Sequence, residues 1–211
     1  MLSFATVHGL VKFSKGDKVN VWVLKGIKLY KNCDSKSTIA ATIPYGTAIE
    51  ILSSGTDSLK VYQGKITNDI TTIPVALTGH WVKVRSGQKE GYVFDGYLSK
   101  MPCLKINQHG DTEEFNKFVE RNYKGYTKKV NKKVVKGIDF REEMYYYKGM
   151  MVLKSTSGDG CFDTEIYLKG TTYQDARLFE KVYFNGATAT EDIKVQQLKN
   201  NIIKISCYSC T

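Results

Sequence analysis

Short runs in which apolar and polar residues alternate fill the first half of the chain. They cover 19–23, 27–30, 39–43, 48–52, 81–85 and 92–94, with Gly, Asn and Asp between them. Because no stretch of this half repeats apolar residues at the helical period, its core must come from strands, and the pattern predicts a small β-barrel or sandwich. The connection 53–79 is too long for a hairpin loop and carries two further strand-like runs, 59–62 and 70–75. We interpret it as an enlarged connection.

The second half opens with the one helical pattern of the chain, which starts at Asp111 or Thr112 and ends near residue 124. Asp111 and Glu114 have the spacing of a capping box, and Gly125 has the place of a terminating glycine. One face of this helix carries four residues that we expect in the core: Phe115, Phe118, Val119 and Tyr123.

After the helix the pattern returns to strands, at 126–135, 144–154, 162–168 and 178–184. A hairpin follows, from 193–198 to 202–207, with its turn at Asn200-Asn201. The sequence therefore predicts a mainly β protein in which a small barrel precedes an α+β domain, an antiparallel sheet with one helix. Met101-Pro102 marks the boundary, which gives domains 1–102 and 103–211.

Composition adds a basic surface to this picture. The chain has 42% hydrophobic and 25% charged residues, which excludes disorder, and its formal net charge is +10. No apolar run is long enough to span a bilayer, so we expect a soluble chain. The opening residues lack the basic and apolar regions of a signal peptide.

The five cysteines, Cys33, Cys103, Cys161, Cys207 and Cys210, are odd in number and widely spaced, unlike a dense disulfide framework. Cys207 and Cys210 have CxxC spacing, but no second ligand pair for zinc exists, so we expect no metal site. On a strand, residues three apart lie about 10 Å apart, beyond the roughly 7 Å Cα limit for a disulfide. We therefore expect these two not to pair. If a bridge exists, it should join Cys161 to Cys207 or Cys210.

Several short motifs of the first half follow one another in order. They are Lys-Gly-Ile-Lys-Leu-Tyr at 25–30, the serines at 35 and 37, Ile-Pro-Tyr-Gly-Thr at 43–47, Trp-Val-Lys-Val-Arg at 81–85 and Gly-Tyr-Val-Phe-Asp-Gly-Tyr-Leu at 91–98. This series resembles the bacterial SH3 domain (SH3b, SH3 type 3) over about residues 19–100. Tyr30 stands where that family usually has arginine, and the 53–79 connection is enlarged.

Local chemistry agrees with strands and tight turns in this region. Pro44 fixes φ and Gly46 can take positive φ, so the chain can turn sharply between 39–43 and 48–52. In the run 81–85, strand alternation places Val82 and Val84 on one face and the other three side chains on the opposite face.

The resemblance implies a binding or targeting module without catalytic residues, of the kind that accompanies cell-wall enzymes and envelope proteins. Flat rings give contact area to sugars and peptides at small entropic cost. The candidate ligand-binding residues are Tyr30, Tyr45, Trp81, Tyr92 and Tyr97. In so small a barrel, we expect Trp81 and Tyr92 in the core rather than in a groove. Tyr45 lies at a turn, and we expect its side chain to be the more exposed one.

The peptidases that accompany SH3b domains need a cysteine at a helix start and a nearby histidine. Cys161, with His109, is the one candidate, but residues 162–168 alternate as a strand does and offer no helix dipole to lower the thiol pKa. We expect His80 at the surface, before Trp81. Asp139, Glu142 and Glu143, beside Arg141, look like a solvated cluster. No catalytic residue or cofactor is predicted.

Six lysines lie within thirteen residues of the second half: Lys124, Lys128, Lys129, Lys132, Lys133 and Lys136. With a hairpin turn at Asn131-Lys132, Lys128, Lys129, Lys132 and Lys133 would form a basic fringe for anionic polymers such as glycans or lipid head groups. Lysines on an edge strand also protect a sheet from aggregation, and we favour this explanation of the lysines over binding of an anionic polymer. Nucleic acid is disfavoured, because lysine outnumbers arginine and no recognition motif accompanies it.

These features predict a non-enzymatic binding or targeting protein. The SH3b-like module would contact cell-wall peptidoglycan or another envelope ligand, glycan, peptide or protein. The expected location is periplasmic, outer-membrane-associated or extracellular, with the signal removed. The alternatives are a peptidase-like cell-wall enzyme that uses Cys161 and an intracellular protein-interaction scaffold.

Overall fold

The computed structural model describes residues 13–67, 72–123, 125–147, 151–158, 160–185 and 192–210. The chain divides into two compact units after Cys103, close to the predicted boundary at Met101-Pro102. Each unit has its own antiparallel sheet, and the protein is mainly β, as predicted. No helix of the described residues is long and apolar enough to cross a bilayer.

The N-terminal unit is a seven-stranded sheet. Its strands are β1 (Lys18–Val21), β2 (Ile27–Tyr30), β3 (Ile39–Ile43), β4 (Ala48–Thr67), β5 (Thr72–Ser86), β6 (Lys89–Phe94) and β7 (Leu98–Ser99), with a 3₁₀ helix (Asp95–Tyr97) before β7. The order across the sheet is β3-β2-β6-β5-β4-β1-β7. Five of the six predicted runs lie within one of these strands, and the run 19–23 overlaps β1, which ends at Val21.

Every strand of this sheet sends apolar side chains into one core, so the sheet must curl around it. The buried residues are Phe13, Val19, Val21, Ile27, Leu29, Ile43, Ile49, Ile51, Val82, Val84, Val93 and Leu98. Gly91 permits the approach of β2 to β6, because a Cβ there would lie 2.5 Å from the carbonyl oxygen of Tyr30. The predicted turn at Pro44-Tyr45-Gly46 is confirmed, with Gly46 at φ +75°.

The enlarged connection is one long hairpin. β4 and β5 pair from Glu50↔Arg85 to Thr67↔Thr72, with three register shifts on the way. The predicted run 59–62 therefore belongs to β4. Residues 70 and 71 of the predicted run 70–75 lie outside the described residues, and the remainder belongs to β5.

The C-terminal unit contains two helices and a six-stranded sheet. Its elements are α1 (Phe115–Asn122), β8 (Tyr126–Val135), β9 (Ile138–Tyr147), β10 (Met151–Gly158), β11 (Cys161–Lys169), α2 (Tyr173–Tyr183), β12 (Asp192–Gln197) and β13 (Ile202–Cys210). The order across the sheet is β12-β13-β11-β10-β9-β8. β13 thus lies between β11 and β12, the strands that α2 connects.

The predicted number of helices is wrong, because residues 178–184, interpreted as a strand, belong mostly to α2. This helix starts at a capping box, in which Thr172 Oγ1 accepts a hydrogen bond from Asp175 N–H and the Asp175 carboxylate accepts one from Thr172 N–H. Phe115 and Phe118 of α1 contact Phe179 of α2 ring to ring, and these rings form the helix side of the core. The predicted apolar stripe of α1 is confirmed for Phe115, Phe118 and Val119, which are buried.

Helix α1 is shorter than predicted and begins at Phe115. Asp111 does not cap it, because this residue belongs to a loop in which its N–H donates to the side-chain oxygen of Asn107 and its carboxylate accepts from the Asn107 amide. Lys124, the predicted last residue, lies outside the described residues.

Two predicted boundaries in the sheet are also wrong. The run 144–154 is not one strand, since β9 ends at Tyr147 and β10 begins at Met151. The hairpin after β8 does not turn at Asn131-Lys132; it turns at Lys136-Gly137, where both residues have positive φ. The turn at Asn200-Asn201 is confirmed, again with both residues at positive φ.

Candidate functional site

The outer face of β5 carries the first part of the candidate site. Val82 and Val84 are buried in the core, at 1% and 0% exposure, so Trp81 and Lys83 point the other way, as the alternation predicts. Trp81 is half-buried rather than part of the core, and so is Tyr92. The preference of the sequence pattern for a core position of these two rings is therefore wrong.

Three of the predicted aromatic residues lie together on this face. Tyr92 of β6 is in register with both Tyr30 of β2 and Lys83 of β5. The Tyr30 ring meets the Trp81 ring edge to face, with centroids 5.5 Å apart. Side chains directly opposite on antiparallel strands are close enough to touch, so Tyr30, Tyr92 and Trp81 form one cluster.

Contacts continue from this cluster to the other two predicted residues. Trp81 is in register with Phe94, and the Phe94 ring meets the Tyr97 ring at 5.2 Å. The carbonyl oxygen of Tyr97 accepts a 2.9 Å hydrogen bond from Trp22 N–H. The ring of Trp22 meets that of Tyr45 edge to face at 6.3 Å.

We call the resulting series the aromatic strip. Its members, in the order of these register pairs, ring contacts and one backbone hydrogen bond, are Tyr92, Tyr30, Trp81, Phe94, Tyr97, Trp22 and Tyr45. All five predicted residues are half-buried, whereas Phe94 and Trp22 are buried, with Phe94 against Tyr97 and Trp22 against Tyr45. The sequence pattern did not identify these two buried rings, although Trp22 lies in the first predicted strand and Phe94 in the last.

A buried ionisable pair adjoins two members of the strip, since His80 precedes Trp81 and Asp95 follows Phe94. His80 is 3% exposed and Asp95 is 1% exposed, so the predicted surface position of His80 is wrong. Asp95 Oδ1 accepts a 2.6 Å hydrogen bond from His80 N–H, and Asp95 Oδ2 lies 3.2 Å from His80 Nδ1. Burial raises the pKa of the Asp95 carboxyl above its usual value, and the bonds from His80 oppose this shift. The adjacent residue must be glycine, because a Cβ at Gly79 would lie 2.3 Å from Asp95 Oδ1.

Charges next to the strip are paired with one another. Lys83 Nζ lies 3.2 Å from a carboxylate oxygen of Glu90. Arg85 pairs with Glu90 at 2.9 Å and with Glu50 at 3.3 Å. Since these cations already have carboxylate partners, the rings and not net charge dominate what the strip offers to a ligand.

The predicted lysines lie on β8, at one edge of the C-terminal sheet. Lys128, Lys129 and Lys132 are exposed, whereas the side chain of Lys133 lies outside the described part. Strand alternation sends Lys128 and Lys132 to the face that carries Tyr147 and Lys129 to the opposite face. Lys128 Nζ lies 3.1 Å from Glu143, and Lys129 Nζ lies 5.4 Å from the ring centre of Tyr146.

The acidic residues that looked like one cluster separate onto two faces of the sheet. Glu143 accepts a hydrogen bond from Tyr145 Oη at 2.7 Å and pairs with Lys128 and Arg141, and these partners lower its pKa to about 2. Glu142 pairs with Lys154 at 3.2 Å on the other face. These carboxylates serve ion pairs.

The cysteine chemistry is structural. Cys161 is disulfide-bonded, while Cys33, Cys103 and Cys207 carry thiols, so Cys207 does not bridge to Cys210 or to Cys161. Cys161 opens β11 in register with Cys210, whose side chain lies outside the described part. A sulfur in a disulfide is no nucleophile, and the imidazole of His109 lies 3.1 Å from the Gln108 side chain on an exposed loop. In this state Cys161 does not offer the thiol that the peptidase alternative requires.

No known protein family, curated protein or solved structure matches the chain. Within the described ranges, no group of three or more His, Cys, Asp or Glu residues could hold a metal ion. The aromatic strip is the part of the described structure that best fits a ligand-binding site.

Proposed function

We propose that residues 19–100 form an SH3b-like barrel that binds cell-wall material, most directly peptidoglycan fragments, through the aromatic strip. The protein would then be a non-enzymatic binding or targeting protein of the bacterial envelope or a secreted one.

The arrangement of strands supports the barrel. A short first strand, β1, pairs with the last strand, β7, while β4, β5 and β6 form a meander between β1 and β2. The 3₁₀ helix Asp95–Tyr97 precedes β7, and β2 and β3 form a hairpin that joins the meander through Tyr30↔Tyr92. A curled sheet around one core is the arrangement that the resemblance implies.

The observation that carries the proposal is the grouping of half-buried aromatic residues in the strip. Five half-buried rings, each next to another ring or a register partner, stand on strands, on the tight turn at Tyr45 and on the 3₁₀ helix at Tyr97. Rings held in place lose little entropy when a sugar or a peptide stacks on them. Four of the rings are tyrosines, whose hydroxyl groups can both donate and accept hydrogen bonds.

The disulfide of Cys161 supports an exported protein. Disulfides persist in oxidising compartments and are rare in the reducing cytosol, so periplasmic, outer-membrane-associated or extracellular locations fit this bond. The alternative is an intracellular scaffold. Finding Cys161 reduced in freshly prepared protein would favour that alternative.

Titration of the full chain with soluble peptidoglycan fragments tests the proposal. Binding is followed by tryptophan fluorescence, because Trp22 and Trp81 both belong to the strip. Tyr45→Ala and Tyr30→Ala should each weaken binding about tenfold, the loss expected from one stacking ring. Tyr208→Ala, which removes an exposed ring of the C-terminal unit, is the matched control and should bind as the wild type does.

Salt separates stacking from charge. Raising ionic strength from about 0.1 M to 1 M shortens the Debye length from about 10 Å to 3 Å, which removes attraction between exposed charges but leaves stacking. Binding that persists at high salt and depends on Tyr45 supports the strip. The proposal is contradicted if neither tyrosine variant changes binding and binding disappears at high salt. It is also contradicted if the wild type does not bind cell-wall material.

A further inference from the structure

Among the strands that the structure describes, β8 is a long edge strand of the C-terminal sheet. It has ten residues, and in the order of strands it is the last one, with β9 on one side. Its pairing with β9 is unbroken from Tyr126↔Tyr147 to Val135↔Ile138. An uninterrupted edge of this length presents a row of backbone N–H and C=O groups to another strand.

One face of this edge strand carries solvent-exposed apolar side chains. Tyr126, Val130 and Val134 are 47%, 42% and 67% exposed. Strand alternation places them on the same face, with Lys128 and Lys132 between them. Exposed apolar side chains at such regular spacing favour a partner whose own side chains repeat every second residue.

The lysines favour the same kind of partner. Lys132 points to one face of the sheet and Lys129 to the other, while Lys128 is already paired with Glu143 at 3.1 Å. An anionic polymer that lies on one face would meet only part of this charge. An extended peptide added at the edge sends successive side chains to both faces, so its acidic residues would meet lysines on each face.

A second copy of the chain is a poor occupant. Pairing two β8 strands antiparallel around Val130 would place Lys128 of one copy opposite Lys132 of the other, and like charges directly opposite destabilise a pair of strands. The lysines therefore disfavour pairing of the edge with a second copy, whereas an acidic strand would bring opposite charges to them.

We propose that the β8 edge binds an extended acidic segment of a protein partner as an added strand of the sheet. This inference does not depend on the aromatic strip. Backbone hydrogen bonds would supply affinity, and the alternation of lysine and apolar side chains would select acidic residues separated by apolar ones.

A synthetic peptide with the repeating order Glu-Glu-Val-Thr, ten residues long, is the probe. On adding to β8 it presents Glu and Val in alternation to one face and Glu and Thr to the other. The fluorescently labelled peptide is titrated into the full chain and followed by anisotropy. Hydrogen exchange of the chain should show slower exchange for amides of β8 and no change for those of β12, the opposite edge.

Two matched comparisons isolate the backbone and the charge. The same peptide N-methylated at alternate residues keeps its charge but cannot complete the ladder, and it should bind at least tenfold more weakly. Lys132→Glu should weaken binding of the unmodified peptide about tenfold, whereas Lys169→Glu, an exposed lysine on β11 of the same unit, should not. Equal melting temperatures of the two variants show that both are folded.

Three results would overturn the proposal. In the first, polyglutamate of equal length or nucleic acid binds as well as the peptide, and N-methylation of the peptide does not weaken its binding. β8 would then be a basic surface for anionic polymers. Concentration-dependent dimerisation that Lys132→Glu changes would make it a self-association edge. Absence of peptide binding, or protection outside β8, would remove the edge site altogether.

Discussion

The backbone N–H of His80 donates a hydrogen bond to Asp95 Oδ1 over 2.6 Å, while His80 Nδ1 lies 3.2 Å from Asp95 Oδ2, and both side chains are buried. His80 immediately precedes Trp81, and Asp95 begins the 3₁₀ helix that ends at Tyr97. The pair therefore links the two elements that hold the middle of the aromatic strip. A buried carboxylate persists only where such partners satisfy it.

Removal of the Asp95 carboxylate should destabilise the N-terminal unit. Asp95→Ala leaves the His80 N–H without an acceptor in the core and should cost about 2–4 kcal/mol of the free energy of unfolding. Asp95→Asn keeps an acceptor oxygen and should cost about half as much. Urea unfolding followed by tryptophan fluorescence measures this unit alone, because both tryptophans, Trp22 and Trp81, lie in it.

The control for this experiment is Asp34→Ala. Asp34 is exposed and accepts a local hydrogen bond from Lys36 N–H, so its loss should change stability by less than about 0.5 kcal/mol. If Asp95→Ala unfolds at the same urea concentration as Asp34→Ala, the buried pair does not stabilise this unit.

Glu143 should make the C-terminal unit sensitive to acid. Its pKa in the folded chain is lowered to about 2 from an ordinary value of 4.5, chiefly by the hydrogen bond from Tyr145 and then by Lys128. A lowered folded pKa contributes stability that is fully present above the unfolded value and is lost as the pH falls from about 4.5 towards 2. Because water reaches this carboxylate and screens the pairs, we expect about 1–2 kcal/mol.

The comparison of wild type with Glu143→Gln isolates this contribution from other carboxyl groups. The variant should be less stable by that amount at pH 7, and the difference should shrink as the pH falls through the same window. Urea unfolding followed by far-ultraviolet circular dichroism gives both values. A difference that stays constant from pH 7 to pH 2.5 would show that Glu143 has no shifted pKa.

Local pattern was sufficient for the elements that depend on alternation or on a single turn. Val82 and Val84 face the core and Gly46 takes positive φ because these outcomes follow from neighbouring residues. The edge position of the β8 lysines also follows from a known use of lysine on exposed strands.

Features that depend on distant segments could not be predicted. Leu178 and Phe179 read as part of a strand, although the capping box at Thr172 and Asp175 begins a helix upstream of them. The burial of His80 depends on Asp95, fifteen residues later, which reaches it only because the chain turns into the 3₁₀ helix. The position of Trp22 in the strip likewise needs the carbonyl of Tyr97, which is far away in the sequence.

The partner of Cys161 should be Cys210. The two residues are in register on β11 and β13, and the other three cysteines carry thiols. Peptide mapping without reduction should give one bridged fragment that contains both residues, and a fragment that links Cys161 to Cys33 or Cys103 would refute the register. A bridge that closes a loop of about 50 residues should stabilise the C-terminal unit by about 2–4 kcal/mol, which Cys161→Ser with Cys210→Ser would remove.

The N-terminal unit should fold without the rest of the chain. Its core residues all lie between Phe13 and Leu98. Met101 is hydrogen-bonded to the region of the first strand, because its carbonyl accepts hydrogen bonds from Trp22 Nε1–H at 3.1 Å and from Asn20 Nδ2 at 3.0 Å. The fragment 1–103 should therefore unfold cooperatively in urea, with the tryptophan emission of the full chain. The fragment 1–99 lacks both hydrogen bonds, including the one from the buried Trp22 indole, so it should be less stable by about 1–3 kcal/mol. If 1–103 is unfolded while the full chain is stable, the two units depend on one another for folding, and a domain boundary near Met101-Pro102 is wrong.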